Sequence, residues 1–212
     1  MKFFLASLFL FVTAACGAHA ADLAVSIVDA GGKPVSDAVV TYTPDGGAVI
    51  TAADRSAKFV MSQKDIQFHP FVLAIPQGAT VNFPNYDRVN HHVYSFSAVL
   101  PFQFPLYSRG KSHSQTFTKT GTEALGCNIH DTMSAYIRVV ATPYYATSDA
   151  TGRIVLKNLP QGHGRLAVWH PLMDAPGQEV ARAITISAAN PPQAFTVSVR
   201  ARMTMNMPAG HQ

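Results

Sequence analysis

Cysteine is nearly absent: the 212 residues contain two, Cys16 and Cys127. That is too few for a disulfide framework, and if one is lost in processing no internal disulfide can form. Charge is scarce, at 13% of residues, and the 16 basic and 12 acidic side chains are scattered rather than clustered. This excludes the basic footprint of a nucleic-acid-binding protein. No apolar run reaches the roughly 20 residues a membrane-spanning helix needs. Helix signals are nearly absent as well. Common enzyme motifs are missing, with no His-x-x-Glu and no Gly-x-Ser-x-Gly elbow. Gly162-His163-Gly164-Arg165-Leu166-Ala167 fits a dinucleotide fingerprint by letter, but it precedes a strand instead of opening a helix, which rejects it.

What is present begins at the N-terminus. Lys2, the apolar run Phe3 to Ala15 and the small-x-small site Ala18-His19-Ala20 match a secretory signal peptide, residues 1–20. The expectation is an exported, periplasmic protein. The alternative, a lipid anchor at Cys16, is disfavoured by Thr13 three residues before that cysteine, where lipoprotein signals favour leucine. With Cys16 removed, Cys127 is a lone thiol in an oxidising compartment. It is either buried and inert or held as a metal thiolate.

The remaining chain is rich in Val, Ile, Thr, Phe and Tyr and is punctuated by Gly and Pro. Eleven alternating segments read as strands: 23–28, 38–43, 71–75, 80–83, 92–96, 114–118, 135–140, 154–156, 165–169, 183–186 and 195–200. Short strands with turn signals between them predict an all-β protein of sandwich type, and their number predicts two sandwiches.

The stretch VDAGGKPVSDAVVTY and the later TSDATGRIVLKNLPQGHGRLAVWHP share one style of tight turn. Together they resemble the front and back halves of a carboxypeptidase-regulatory-like β-sandwich. The resemblance implies that residues 21–55 and 143–202 form one split sandwich, with 56–142 inserted as a second domain and 203–212 a Met-rich flexible tail. Two sandwiches in simple succession is the alternative.

Within the middle segment, GCNIHDTM places Cys127, His130 and Met133 at steps of three. The flanks TFTKTGTEALG and AYIRVV read as strands, so the stretch is a loop and the spacing is not a helical face. Thiolate, imidazole and thioether suit a soft or borderline metal. One Cys and two His with a weak axial Met is the ligand set of a blue-copper electron-transfer site, whereas zinc favours more thiolate or imidazole and no thioether. A second histidine must then come from a neighbouring strand.

FPNYDRVNHHVYSF supplies it, and resembles the cupredoxin family, which includes plastocyanin and amicyanin. Phe83, Asn85, His91 and Val93 stand at that family's spacings, PQGATVNF resembles its strand before them, and Cys127-x-x-His130-x-x-Met133 has the short loop form seen in amicyanin. The resemblance runs from about 67 to 140 and implies a Greek-key cupredoxin β-sandwich with one type I copper held by His91, Cys127, His130 and Met133. Where the family has Asn after the first ligand, this chain has His92. Adjacent strand residues face opposite ways, so His91 is the ligand by spacing. His92 takes the place of that Asn, steadying the Cys127 loop; a register one residue off would make His92 the ligand. The resemblance further implies that His130 is the electron port near the surface, and VNHHVYSF with GCNIHDTM is similar to a subgroup labelled methylamine utilisation proteins.

The reading is thus of an electron carrier, not an enzyme, with a redox protein as donor and another as acceptor. A copper carrier or storage protein and a metal-free structural sandwich are the rivals. His69, His113, His163 and His170 read as structural or solvated. Met203, Met205 and Met207 with His211 could hold Cu(I), against the blander account of a frayed terminus.

Overall fold

Alternation explains the first strand: in ADLAVSIVD, Ala21, Leu23, Val25 and Ile27 are buried while the residues between them turn outward, the period of two expected of a sheet with one face on a core. The computed structural model describes residues 20–202. Residues 1–19, including Cys16 and nearly all of the segment read as a signal peptide, and the tail with Met203, Met205, Met207 and His211 lie outside the described residues.

The chain is all-β. Its elements run β1 (Ala21–Asp29), β2 (Val39–Pro44), a short helix α1 (Ala52–Ser56), β3 (Phe59–Val60), β4 (Ser62–Lys64), β5 (Gln67–His69), β6 (Val72–Pro76), β7 (Thr80–Pro84) and β8 (His91–Ser95). There follow β9 (Phe102–Tyr107), β10 (Ser112–Thr116), β11 (Gly121–Cys127), β12 (Ser134–Val140), β13 (Tyr145–Thr147), β14 (Arg153–Leu159), β15 (Gly162–Trp169), β16 (Glu179–Ile186) and β17 (Gln193–Val197).

Strands from the two ends of this span pair with each other. One sheet has the order β14-β1-β17 and another β13-β2-β15-β16. Between them lies a core of mostly aliphatic side chains, including Leu23, Ile27, Val40, Leu156 and Leu166. The turn before β14 is fastened to β1 by the Ile27 amide, which donates to the Gly152 carbonyl at 2.8 Å. Gly152 has φ +69°, and a Cβ there would run into the Ile27 carbonyl oxygen, so glycine is required on both counts.

The middle strands form their own sheets, β6-β12-β11-β8-β9 and β10-β7-β3, with β4 and β5 as a separate hairpin. Their core is aromatic and sulfur-rich: Phe59, Phe68, Phe83, Phe104, Tyr107 and Phe117 pack with Met61, Met133 and Cys127. A third cluster of Val39, Phe71, Val72, Ala74, Val140 and Trp169 joins the two sets of sheets. Beside it Arg138 of β12 lies 5.0 Å from the Trp169 ring and bonds Glu179 of β16 at 2.7 Å.

Each of the eleven segments read as strands falls on an observed strand. The elements missed are short, polar or interrupted. β9 contains Pro105, which ordinarily demotes a run to non-strand, but β9 is at a sheet edge, where a missing amide is tolerated. The helix α1 was readable: Thr51 and Asp54 form a capping box, each side chain bonding the other's backbone amide.

Candidate metal centre

The site is built by inward-facing positions on two paired strands. On β8, His91, Val93 and Ser95 point into the core; on β11, Glu123, Leu125 and Cys127 do. The strands are antiparallel with Cys127 opposite Val93. His91 therefore lies on the same face one inward position beyond the end of β11, beside the Cys127 side chain. The chain then turns through 128–133, where the Met133 amide donates to the His130 carbonyl at 2.9 Å. That turn brings His130 back over the end of the sheet.

The outcome is a cluster in which one donor atom each from His91, Cys127 and His130 lies within 4.8 Å of the others. Cys127 Sγ is 3.7 Å from His91 Nδ1 and 3.7 Å from His130 Nδ1. His91 is fully buried, Cys127 is 3% exposed and His130 is partly exposed. Met133, 1% exposed, packs in the same cluster as Cys127. His92 is not brought in. It faces the other side of the sheet, its ring 5.9 Å from that of Tyr94, and its buried Nδ1 has no partner.

The other nitrogen of His91 is held by a residue the sequence reading did not single out. His91 Nε2 is 2.7 Å from Asp87 Oδ2. With a carboxylate as acceptor, Nε2 carries the proton and the Nδ1 lone pair faces the sulfur. Burial raises the Asp87 pKa, but the bond to His91 and the amides of Ile66 and Asp65 outweigh it, leaving the carboxyl below its ordinary range. His130 also sits below its ordinary value, because burial and the neighbouring His91 disfavour its cation against the opposing pull of Asp87. The lowered value suits His130 to be a neutral ligand. Asn85, fully buried, donates from Nδ2 to the Val89 and Tyr107 carbonyls at 2.9 and 3.0 Å and accepts from the Asp87 amide at 2.8 Å. It staples the loop that leads into His91.

A metal about 2.3 Å from a thiolate and about 2.0 Å from imidazole nitrogen would have S···N edges of about 3.5 Å at tetrahedral angles and about 3.7 Å at trigonal ones. The two 3.7 Å edges here are within reach of such a metal. Among the described residues no carboxylate or further histidine joins the set. The donors thus fit a metal that accepts one thiolate and two imidazoles.

The remaining histidines have local partners. His69 Nε2 is 3.2 Å from the Lys64 carbonyl, His113 stacks on Phe104 at 4.8 Å, His163 Nδ1 is 2.9 Å from the Thr185 hydroxyl, and buried His170 accepts from the Leu172 amide. No signal in strand periodicity marks Asp87; it is found four residues before the ligand, across a loop.

No protein-family model matches the chain, and no curated protein matches it. Solved structures are similar to part of it. A reduced Cu(I) form of an amicyanin mutant is 23% identical, with a TM-score of 0.38 over 48% of this chain and 98% of that one. A second amicyanin mutant, also Cu(I), is 22% identical with the same TM-score and coverage. A purple cupredoxin from Nitrosopumilus maritimus is 21% identical, with a TM-score of 0.36 over 39% of this chain and all of that one. Among the described residues, no helix is long and apolar enough to cross a membrane.

Proposed function

We propose that this protein is a periplasmic type I copper protein that carries single electrons between a donor and an acceptor redox protein. One observation carries the reading: Cys127 Sγ sits 3.7 Å from Nδ1 of both His91 and His130, with the thioether residue Met133 buried beside them. A thiolate, two imidazoles and a weak thioether form the donor set of blue-copper centres. Copper bound there would supply a one-electron couple.

The residues of the chain do the rest. Cys127 at the end of β11 would supply the thiolate, His91 and His130 the two imidazoles, and Met133, buried in the same cluster, the weak thioether. The β8–β11 pairing fixes two of these donors without a metal, so a bound ion would meet a site already formed. His91 is walled off by the core, whereas His130 is partly open to solvent, which makes His130 the electron port. In the same reading 56–142 is a cupredoxin domain inserted into a carboxypeptidase-regulatory-like sandwich of 21–55 and 143–202. The link to amine oxidation rests on the likeness of VNHHVYSF and GCNIHDTM to methylamine utilisation proteins.

The test is to add Cu(II) to the purified full chain and record visible absorption and copper content beside Cys127→Ser. The expected result is one copper per chain and an intense thiolate-to-copper band that the substitution abolishes. Copper bound without such a band overturns the electron carrier and favours a copper carrier. Copper content unchanged in Cys127→Ser overturns the centre itself.

A further inference from the structure

The Asp87 carboxylate has no spare oxygen. Oδ1 accepts the Asp65 amide at 2.6 Å; Oδ2 accepts the Ile66 amide at 3.1 Å and faces His91 Nε2 at 2.7 Å. Asp65 and Ile66 are the two turn residues between β4 and β5, since Lys64 pairs with Gln67. Both have positive φ, +54° and +53°, the requirement of a tight type I′ hairpin turn that favours Asn and Gly. A β-branched residue such as isoleucine is rarely found there. Such strain persists where the surroundings over-determine it, and here two consecutive amides converge on one carboxylate.

The hairpin is fastened to the same loop a second time. Gln63 of β4 is fully buried; its carbonyl accepts the Tyr86 amide at 2.9 Å, and its side chain accepts the Tyr107 hydroxyl at 2.5 Å. β4 and β5 pair with each other as a separate two-stranded sheet, so extending a large sheet does not account for them. What they do is present a pair of amides to Asp87.

We propose that Asp87, locked by the β4–β5 turn, is the positioning residue of the centre: it fixes the Nε2–H tautomer and ring orientation of His91 and places a negative charge behind that ligand. This rests on the copper reading above. A carboxylate bonded to a ligand imidazole raises its basicity, which favours Cu(II) over Cu(I). Asp87 touches no reacting atom and acts through His91.

The experiment uses the full chain in two states. In the metal-free protein, a nitrogen-edited imidazole spectrum should show His91 as the Nε2–H tautomer with a slowly exchanging proton, and Asp87→Ala should speed that exchange about tenfold or more. After copper loading, Asp87→Asn, which keeps one of the two acceptor oxygens but loses the charge, should raise the reduction potential. It should also weaken copper binding about 10–100-fold. A purely structural Asp87 would lower the melting temperature without moving the potential. The inference is overturned if Asp87→Asn has the wild-type potential and affinity, or if metal-free wild type shows no protected Nε2–H. If Asp87→Ala does not fold, Asp87→Asn still decides. A wild-type protein with the protected Nε2–H but no thiolate band would sink the copper reading and the charge effect while leaving the positioning of His91 standing.

Discussion

The two sets of sheets differ in the polar groups they bury. In the flanking strands and their connections, Thr142 and Ser148 are buried and bonded to backbone: Thr142 Oγ1 donates to the Tyr42 carbonyl, and Ser148 Oγ bridges the Ala38 amide and the Val35 carbonyl. In the middle strands His91 is buried with Nε2 on Asp87 and Nδ1 facing only the Cys127 sulfur. Glu123, also fully buried, has Oε2 on Ser95 and Oε1 unpartnered. Buried polar groups ordinarily find hydrogen-bond partners, and donors that face one another in a dry core are placed as a metal would need them. The flanking region closes its loops with such groups; the middle region also sets His91 against Cys127.

That contrast would break first at the joint. Trp169 is 2% exposed and packs with Val39 from the flanking strands and Phe71, Val72 and Val140 from the middle ones. Its indole nitrogen has no partner, so its contribution is packing and the contact with Arg138. Trp169→Ala should destabilise the protein by about 3–5 kcal/mol, the usual scale for emptying a large aromatic site. Because the cluster is shared, chemical unfolding followed by tyrosine fluorescence and circular dichroism should change from one coincident transition to two. A single transition with a loss below about 1 kcal/mol would mean that the two sets of sheets do not depend on this cluster.

A smaller effect separates the costly carboxyl of the middle strands from their functional donors. Burial raises the Glu123 pKa, against the opposing bond from Ser95. A raised folded pKa means that this group's stabilisation is complete below the unfolded value of about 4.3 and is lost as pH rises through the folded value. Glu123→Gln removes that loss. It should therefore gain about 1 kcal/mol at pH 7, with the gain shrinking as pH falls towards 4.5, as urea unfolding at the two values would show. A gain independent of pH would assign the effect to something other than the charge. The visible band of the copper-loaded protein should stay unchanged, since Glu123 lies two inward positions away from Cys127 along β11.

How much of this was legible in the sequence follows from the same physics. Val, Ile and Phe alternating with polar residues gave away the strands with a face on a core, because period-two burial is written directly in the chain. β3, β4 and β5 were not legible: two or three residues carry no period. Cys127, His130 and Met133 stood out because one loop carries all three. His91 could be separated from His92 by spacing against the cupredoxin family, and the burial of β8 has His91 inward and His92 outward. Asp87 could not have been picked out, since its role depends on a turn twenty residues earlier whose amides reach it only in three dimensions.

The smallest expected effect lies in the flanking strands and concerns their one buried histidine. His170 is 5% exposed, and burial lowers its pKa against the weaker opposing pull of Asp37. With the folded pKa depressed, the unfolded chain takes up the proton first as pH falls. The stabilisation is therefore whole above the unfolded value of about 6.5 and is lost as pH drops through the folded value. His130 titrates with the same sign in the metal-free protein, so the two must be told apart. His170→Asn keeps an acceptor for the Leu172 amide but cannot take the charge. The difference in melting temperature between wild type and this variant, followed from pH 8 to pH 5, isolates His170. The variant should lose less stability than wild type on acidification, with the two curves converging in slope above about pH 6.5. Parallel curves throughout would mean that His170 is as easily protonated folded as unfolded, and that the flanking core is wetter at that point than its burial implies.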